Sequence, residues 1–243
     1  TFNTEKAPFD DPRVRLALSM ALDRETLTNR VMRGGEVAAY SLIPVGSRAG
    51  YAPAFADYRN QSQAERNSRA KALLADAGYG PDNPLSFSFR YNTQEVLRRV
   101  AAAAAAMWQR GLDVNVSLLN SDLNALNADL RNGDYEVARY QWFGEHRDPS
   151  TFLYLLESEA VGDNHSKYNN PEYDAFMQQA YASADVEQRK RLMAKAERIA
   201  MDAAPIVPLN FYVGKRLVKP FVKGLDDNVR GINLSRYVSI DRP

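Results

Sequence analysis

The sequence predicts an α/β fold, because its hydrophobic periodicity changes twice within a composition typical of soluble domains. Hydrophobic residues make up 45% of the 243 residues and charged residues 25%. Apolar and polar residues alternate over Leu85–Tyr91, which is typical of a half-buried strand. A helical period follows from a Thr93 cap to Arg110, and alternation returns over Leu112–Leu118. This strand-helix-strand order predicts two parallel strands joined by a crossover helix.

The first sixty residues predict one interrupted helix followed by a long connection. Asp11 before Pro12 is a typical helix start, since the carboxylate can cap the first turn. Asp23 recaps the helix, and Gly34 and Gly35 supply its end. Prolines and glycines between Tyr40 and Tyr58 predict a loop that regular structure does not cross.

Capping residues and periodicity place the other elements in the same way. In chain order they are a helix over Glu65–Ala77 ended by Gly78, a helix capped by Ser121 and reaching Asn132, a strand over Tyr135–Trp142, helices opened by Asn170-Pro171 and by Asp185 and reaching Ala182 and Ala203, and a strand reaching Val213.

Composition and charge exclude several classes of function. Lys and Arg number 31 against 30 Asp and Glu, so no basic surplus predicts a nucleic-acid partner. The chain has no cysteine, which removes disulfides and thiolate metal sites. The longest apolar run, Val100–Trp108, is too short to span a bilayer. The extended start at Thr1 resembles the interior of a longer protein, and we expect a fragment or excised domain.

Signatures of catalysis and of cofactor binding are sparse. We find no phosphate-binding glycine loop, no nucleophile elbow and no zinc-protease histidine pair, so we expect no cofactor and no metal. The two histidines, His146 and His165, match no metal-ligand spacing. Glu145 with Asp148 or His146 could serve a hydrolase, and this alternative stays open.

The most informative cluster runs from Arg139 to Glu145. Trp142 offers a broad apolar surface with one donor, and Glu145 offers a carboxylate where the predicted strand ends. Together they could hold a cationic ligand beside an extended backbone. Strand alternation puts Arg139 and Trp142 on opposite faces unless the chain bends near Gly144. The alternative is a core tryptophan beside a solvated glutamate.

Several stretches, taken in order, resemble one family over nearly the whole chain. They are Phe9–Arg15, Ala21–Glu25, Ala72–Tyr79, Tyr91–Thr93, Asp134–Arg139, Asp148–Leu153 and Arg216–Pro220. The chain resembles the C-terminal half of the periplasmic oligopeptide-binding proteins, which are family 5 solute-binding subunits of bacterial ABC importers. Each stretch alone is a weak signal, whereas the ordered set is specific.

The resemblance implies one lobe of a two-lobed clamp of the type II periplasmic-binding-protein kind, with a mixed sheet and flanking helices. Residues 1–210 then form the ligand-binding lobe, and residues 211–243 return to a missing N-terminal lobe. It also implies a binding protein rather than an enzyme. The expected partners are short peptides, the missing lobe and an inner-membrane ABC permease, and the expected compartment is the periplasm.

The resemblance also implies roles for individual residues. Glu145 matches an acidic residue, usually aspartate, that pairs with the α-amino group of the peptide. The other matched positions are Gln141, Trp142 and Phe143, whose backbone pairs with the peptide main chain, Tyr212 as a pocket residue, and Arg139 near the anchor.

Three leucines depart from the family pattern. Leu97 stands in place of a histidine and Leu123 in place of a tryptophan. Leu130 stands where an arginine helps receive a peptide C-terminus, although Arg131 is adjacent. These departures keep open a second interpretation, in which the ligand is a non-peptide or murein-derived solute.

Overall fold

The computed structural model describes residues 1–226 and 232–241, which belong to two compact units. One unit comprises residues 1–211, and the described residues from Tyr212 onward belong to the other. The helices are α1 (Pro12–Met20), α2 (Arg24–Thr26), which continues into a π-helical turn (Leu27–Met32), α3 (Gln63–Asp76), α4 (Glu95–Leu112), α5 (Leu123–Asn132), α6 (Ser150–Leu153), α7 (Pro171–Ala182) and α8 (Val186–Ala203). The strands are β1 (Val37–Ala38), β2 (Ser86–Asn92), β3 (Asn115–Ser121), β4 (Val137–Ala138), β5 (Asn210–Phe211), β6 (Val222–Lys223) and β7 (Ser239–Ile240).

The predicted α/β class is confirmed, with a parallel three-stranded sheet in the order β3-β2-β4. Strand β2 pairs with β3 over its whole length, from Ser86 opposite Asn115 to Asn92 opposite Ser121. Helix α4 connects these two strands, as the strand-helix-strand pattern predicts. Two short antiparallel pairs, β1-β5 and β6-β7, complete a mixed set of strands. Among the described residues, no helix has the length and apolar character that crossing a bilayer requires.

Local capping chemistry explains where most helices begin. The Asp11 carboxylate accepts a hydrogen bond from the Arg13 backbone N–H at 2.8 Å, and Pro12 occupies the first helical position of α1. Ser62 and Glu65 cap α3 reciprocally, each side chain bonding the other residue's backbone. Asn170 and Asp185 cap α7 and α8 as predicted.

Two predicted caps are wrong. Helix α4 begins after Gln94 without a side-chain cap, since the Thr93 hydroxyl donates instead to Asn120 Oδ1 at 2.9 Å and to the Ser121 carbonyl at 3.0 Å. Helix α5 is capped by Asp122 rather than Ser121, which is the last residue of β3. In both cases a cross-strand contact holds the predicted residue at the end of the sheet.

The predicted strand bounds also shift. The second strand begins at Asn115 rather than Leu112, because α4 continues to Leu112. The third strand is far shorter than Tyr135–Trp142, since only Val137 and Ala138 pair with β2. The strand predicted to reach Val213 pairs only over β5.

The main hydrophobic core packs α4 and α1 against one face of the sheet. Trp108 of α4 lies edge-on to Phe87 and Phe89, with ring centroids 5.5 and 5.3 Å away. Its indole N–H donates to the Leu18 carbonyl of α1 at 2.8 Å. The small side chains of Ala101 and Ala104 are buried here, which lets α4 lie close to the sheet. A second cluster joins α6, α7 and α8 around Tyr173.

A buried carboxylate attaches the long loop before α3 to helix α8. Glu197 is fully buried and accepts hydrogen bonds from the backbone N–H groups of Ile43 at 3.0 Å and Ala54 at 2.9 Å. The Tyr51 hydroxyl donates to the same carboxylate at 2.8 Å. Burial raises the pKa of Glu197, although these backbone donors act in the opposite direction. The segment rich in proline and glycine is therefore held in place from α8.

A second buried carboxylate, Asp148, joins three separate parts of the chain. It pairs with Arg48 of the long loop at 2.5 Å and with Arg189 of α8 at 2.5 Å. The backbone N–H and the hydroxyl of Ser150 also donate to it, at 3.1 and 2.7 Å. Burial opposes ionisation, but the bonds from Arg189 and Ser150 outweigh burial and lower the pKa of Asp148 to about 2.

We predict that Glu197→Ala lowers the free energy of unfolding by about 3 kcal/mol or more, because it leaves two buried backbone N–H groups and a hydroxyl without acceptors. The control is Asp202→Ala, which removes an exposed carboxylate from the same helix where it pairs with Arg198. That control should change stability by only about 0–1 kcal/mol. Urea denaturation measures both variants, and equal losses would contradict the role of Glu197.

We predict that Asp148→Asn costs about 2–3 kcal/mol of stability at pH 7. The folded-state pKa of about 2 lies below the ordinary 3.8, so ionisation stabilises the fold above about pH 4 and this contribution is lost as the pH falls toward 2. The deficit of the variant should therefore shrink between pH 5 and pH 3 in denaturant titrations. Asp57→Asn, which breaks an exposed pair with Arg69, is the matched control. A deficit independent of pH would contradict the assignment.

Candidate functional site

The chain leaves the sheet at Arg139, beside the carboxyl ends of the parallel strands. The Arg139 backbone N–H donates to the Arg90 carbonyl of β2 at 2.8 Å, which is the last ladder bond of this strand. Strands β2 and β3 end nearby, at Asn92 and Ser121. We call residues 139–145 the edge segment. In α/β sheets this edge is where ligands usually bind.

The backbone of the edge segment is partly without partners. Within residues 1–226 and 232–241, the backbone N–H and carbonyl groups of Gln141 and Trp142 make no hydrogen bond. Backbone groups in a folded protein need partners, which protein, water or a ligand can supply. This stretch can therefore pair with an extended chain laid alongside it.

Trp142 presents a half-buried ring in a fixed orientation. Its indole N–H donates to the Thr151 carbonyl at 2.8 Å. The Tyr154 ring packs edge-on against it, with centroids 5.8 Å apart, and the Tyr140 ring lies 6.4 Å away. The result is an aromatic wall beside the unpaired backbone.

Glu145 ends the edge segment with an exposed side chain. Its backbone N–H donates to Thr151 Oγ1 at 2.9 Å, so the backbone is held although the side chain is not. Among the described residues, its carboxylate has neither an ion pair nor a hydrogen bond. Burial, with the charges of Asp163 and Glu145, raises the pKa of Tyr154 to about 12.

Arg139 begins the edge segment with a half-buried cation. Its guanidinium donates to Gln141 Oε1 at 2.8 Å and to Asn92 Oδ1 at 3.4 Å. Burial lowers the pKa of Arg139 to about 10, and no carboxylate in the described part of the chain pairs with it. The edge segment thus carries an unpaired cation at one end and an unpaired anion at the other.

The structure places five predicted site residues on this one segment. They are Arg139, Gln141, Trp142, Phe143 and Glu145, and Phe143 is 58% exposed. The prediction that strand alternation sets their directions is wrong, because β4 ends at Ala138 and the segment is not a strand.

The other two predicted site residues lie elsewhere. Arg131 is exposed at the end of α5, and its carbonyl accepts a hydrogen bond from Lys167 Nζ at 3.0 Å. Tyr212 is 63% exposed and begins the second compact unit. Their proposed roles stay predictions.

The three leucines that depart from the family pattern differ in burial. Leu97 is buried on α4, and Leu130 is fully buried on α5 with Leu126 and Tyr135. Leu123, at the start of α5, is 55% exposed. Only Leu123 therefore presents most of its side chain to solvent.

Sequence reasoning missed the residues that hold the edge segment, above all Thr151. The stretch Asp148–Leu153 was part of the family resemblance, but no feature of it predicted contacts with Trp142 and Glu145. An acidic residue two positions before Ser150 is a helix-capping signal that could have located α6.

One of the residues considered for hydrolysis, Asp148, is already engaged by other side chains. Asp148 is held by Arg48 and Arg189 with its pKa near 2, so it is a poor general base. His146 Nε2 lies 3.3 Å from Ser150 Oγ. In the described residues no three metal-ligating side chains are grouped together.

Comparison with known proteins finds relatives that match nearly the whole chain. The periplasmic murein peptide-binding protein MppA of Escherichia coli is 42% identical over 93% of this chain. The periplasmic oligopeptide-binding protein OppA of Haemophilus influenzae is 41% identical over 91% of it. The solved structure of Haemophilus influenzae OppA in complex with the peptide RPPGFSPFR matches 99% of this chain with a TM-score of 0.88 and 36% identity.

The matches cover only part of each relative. The chain spans 42% of the length of MppA, 41% of the OppA sequence and 47% of the solved OppA chain. The sequence profile of the bacterial extracellular solute-binding proteins, family 5 (middle), matches residues 1–164, which include the sheet and the whole edge segment. The chain belongs to the family 5 bacterial extracellular solute-binding proteins.

Proposed function

We propose that this chain forms part of a peptide receptor that captures short peptides in the periplasm for an ABC importer. The observation that carries the proposal is the edge segment, in which the unpaired backbone of Gln141 and Trp142 lies next to the unpaired Glu145 carboxylate. An extended peptide would add to this backbone as a strand. The bound peptide would be released to a permease, and the protein itself would carry out no chemistry.

Main-chain pairing explains how such a receptor would accept many peptide sequences. Backbone hydrogen bonds supply affinity without reading side chains, and the Trp142 ring supplies apolar contact. Glu145 would fix the direction of the peptide by pairing with its α-amino group. Its carboxylate is exposed in this chain, and a second lobe closing over the ligand would desolvate the pair and strengthen it.

Arg139 supplies the complementary charge. Its guanidinium is half-buried without a carboxylate partner, so an anionic group of the ligand would relieve an unpaired charge. The C-terminal carboxylate of a short peptide lying along the edge segment is such a group. The roles that the resemblance implies for Phe143, as part of the backbone that pairs with the peptide, for Tyr212, as a pocket residue, and for Arg131, beside the position that receives a peptide C-terminus, are part of this proposal.

A murein-derived peptide is the second candidate ligand. A curated relative with 42% identity is a murein peptide-binding protein. The resemblance also implies a histidine at Leu97, a tryptophan at Leu123 and, at Leu130, an arginine that helps receive a peptide C-terminus. Leu97 and Leu130 are buried, so neither presents a polar group to a ligand. Competition between murein peptides and a pool of linear peptides distinguishes the two candidate ligands.

A hydrolase is disfavoured because Asp148 is engaged by two guanidinium groups.

We predict that Glu145→Gln in the full-length protein weakens binding of peptides with a free amino end about 100-fold, since a desolvated charge pair contributes about 3 kcal/mol. Isothermal titration with matched free and N-acetylated peptides measures this loss. The acetylated peptides should bind poorly to both proteins. Glu159→Gln, the same charge change at another exposed glutamate, should leave affinity unchanged. Equal affinity of the wild-type protein for free and acetylated peptides would contradict the anchor.

We predict that C-terminal amidation of a short peptide weakens binding to the wild-type protein about tenfold, because Arg139 loses its anionic partner. In Arg139→Gln the same amidation should have little effect, so the two changes are not additive. Arg198→Gln, which removes an exposed cation on α8, is the control and should keep the wild-type sensitivity. Full sensitivity to amidation in Arg139→Gln would exclude this contact.

A further inference from the structure

The edge segment keeps its shape although it has left the sheet. Beyond the Arg139 ladder bond, the backbone of Gln141 and Trp142 has no internal partner in the described residues. Main-chain pairing with a ligand nevertheless needs those groups in a fixed direction before the ligand arrives, because ordering them on binding would cost affinity. Some other part of the fold must therefore hold the segment.

Thr151, in the first turn of α6, makes two polar contacts with the edge segment. Its carbonyl accepts the Trp142 indole N–H at 2.8 Å, and its hydroxyl accepts the Glu145 backbone N–H at 2.9 Å. The residue is only 1% exposed. One buried side chain and its own carbonyl thus orient the aromatic wall and the anchor residue together.

Gly144 allows the segment to lie directly on Thr151. A Cβ atom at Gly144 would be 2.9 Å from Thr151 Cγ2 and 3.0 Å from the Phe152 ring, closer than real Cβ contacts. The glycine is therefore needed for close approach to α6. The chain passes from the aromatic wall to Glu145 across this contact.

Helix α6 is too short to be stable alone, and Asp148 supplies its support. A four-residue helix gains little from its own hydrogen bonds. Asp148 accepts from the Ser150 backbone N–H at the start of α6 and is held by Arg48 and Arg189. A continuous set of contacts therefore runs from α8 and the long loop through Asp148 and Thr151 to Glu145.

We propose that Thr151 is the positioning residue of the ligand site, which sets the direction of the Glu145 backbone and the Trp142 ring through its hydroxyl and carbonyl. Because Thr151 is buried, it would act on a ligand through the residues it holds. The effect on ligand affinity rests on the peptide-binding function proposed above. The effect on the geometry of the edge segment does not depend on that proposed function.

The test compares Thr151→Val with Thr151→Ser in the full-length protein. Valine keeps the shape and the carbonyl but removes the acceptor for the Glu145 N–H, whereas serine restores it. We expect Thr151→Val to speed amide hydrogen exchange at Glu145 at least tenfold and to raise the Kd for a free peptide about tenfold. Thr151→Ser should return both values close to those of the wild type.

Thr28→Val is the matched control, because Thr28 is also buried and its hydroxyl also bonds backbone, donating to the Arg24 carbonyl at 3.0 Å. It should change neither the Glu145 exchange rate nor the Kd. Thermal unfolding of all three variants separates positioning from loss of fold. A Thr28→Val effect on affinity as large as that of Thr151→Val would show a general loss of stability and overturn the proposal.

The two readouts keep this proposal distinct from the proposed function. Hydrogen exchange at Glu145 requires no ligand, so wild-type protein that binds no peptide would contradict peptide binding while the exchange result still decides the role of Thr151. Unchanged exchange in Thr151→Val would overturn the positioning role. Faster exchange with an unchanged Kd would overturn the claim that this position controls affinity.

Discussion

Strand β4 separates from β2 at Arg139, and this leaves the backbone that follows without a partner in the sheet. The Arg139 N–H makes the last ladder bond, although β2 itself continues to Asn92 in its pairing with β3. The chain must then continue with its backbone groups open to solvent or to a ligand. Continued pairing with β2 would have left no main-chain groups available at this edge. The point at which two strands separate therefore determines whether the polypeptide continues a sheet or presents a template for another chain, and Arg139 and Glu145 place opposite charges at the two ends of that open backbone.

Open backbone needs support from elsewhere, and in this chain buried polar groups supply part of that support. Glu197 holds the long loop through two backbone N–H groups, and Asp148 holds that loop, α8 and α6 together. Such groups are costly to bury unless every partner is present, so they favour one arrangement strongly over its alternatives. Rigidity of this kind favours binding at a surface, because a surface that is already ordered loses less conformational entropy when a ligand binds.

Sequence patterns predicted the elements well where one local signal dominated. Asp11, Asn170 and Asp185 cap helices through side chains that accept hydrogen bonds from N–H groups two or three residues ahead, so a local pattern is enough to predict them. Thr93 and Ser121 failed as caps because contacts at the end of the sheet hold them, and no local pattern reports a cross-strand contact. The segment from Arg139 to Glu145 was recognised from residue types and family resemblance. Its support was not, because Thr151 acts through a hydroxyl and a carbonyl whose partners depend on the tertiary fold.

The burial of Leu130 limits which substitutions the end of α5 can accept. The family resemblance implies an arginine at this position, yet Leu130 of α5 packs with Leu126, Tyr135 and Ala138. An arginine here would put a guanidinium into that apolar cluster, so neighbouring residues would have to change with it. Leu123, at the first position of α5, is exposed and can be exchanged in a single step. Point mutation can therefore change the chemistry of α5 more readily at its start than at Leu130, and the order of substitutions, not only their number, constrains how this helix can change.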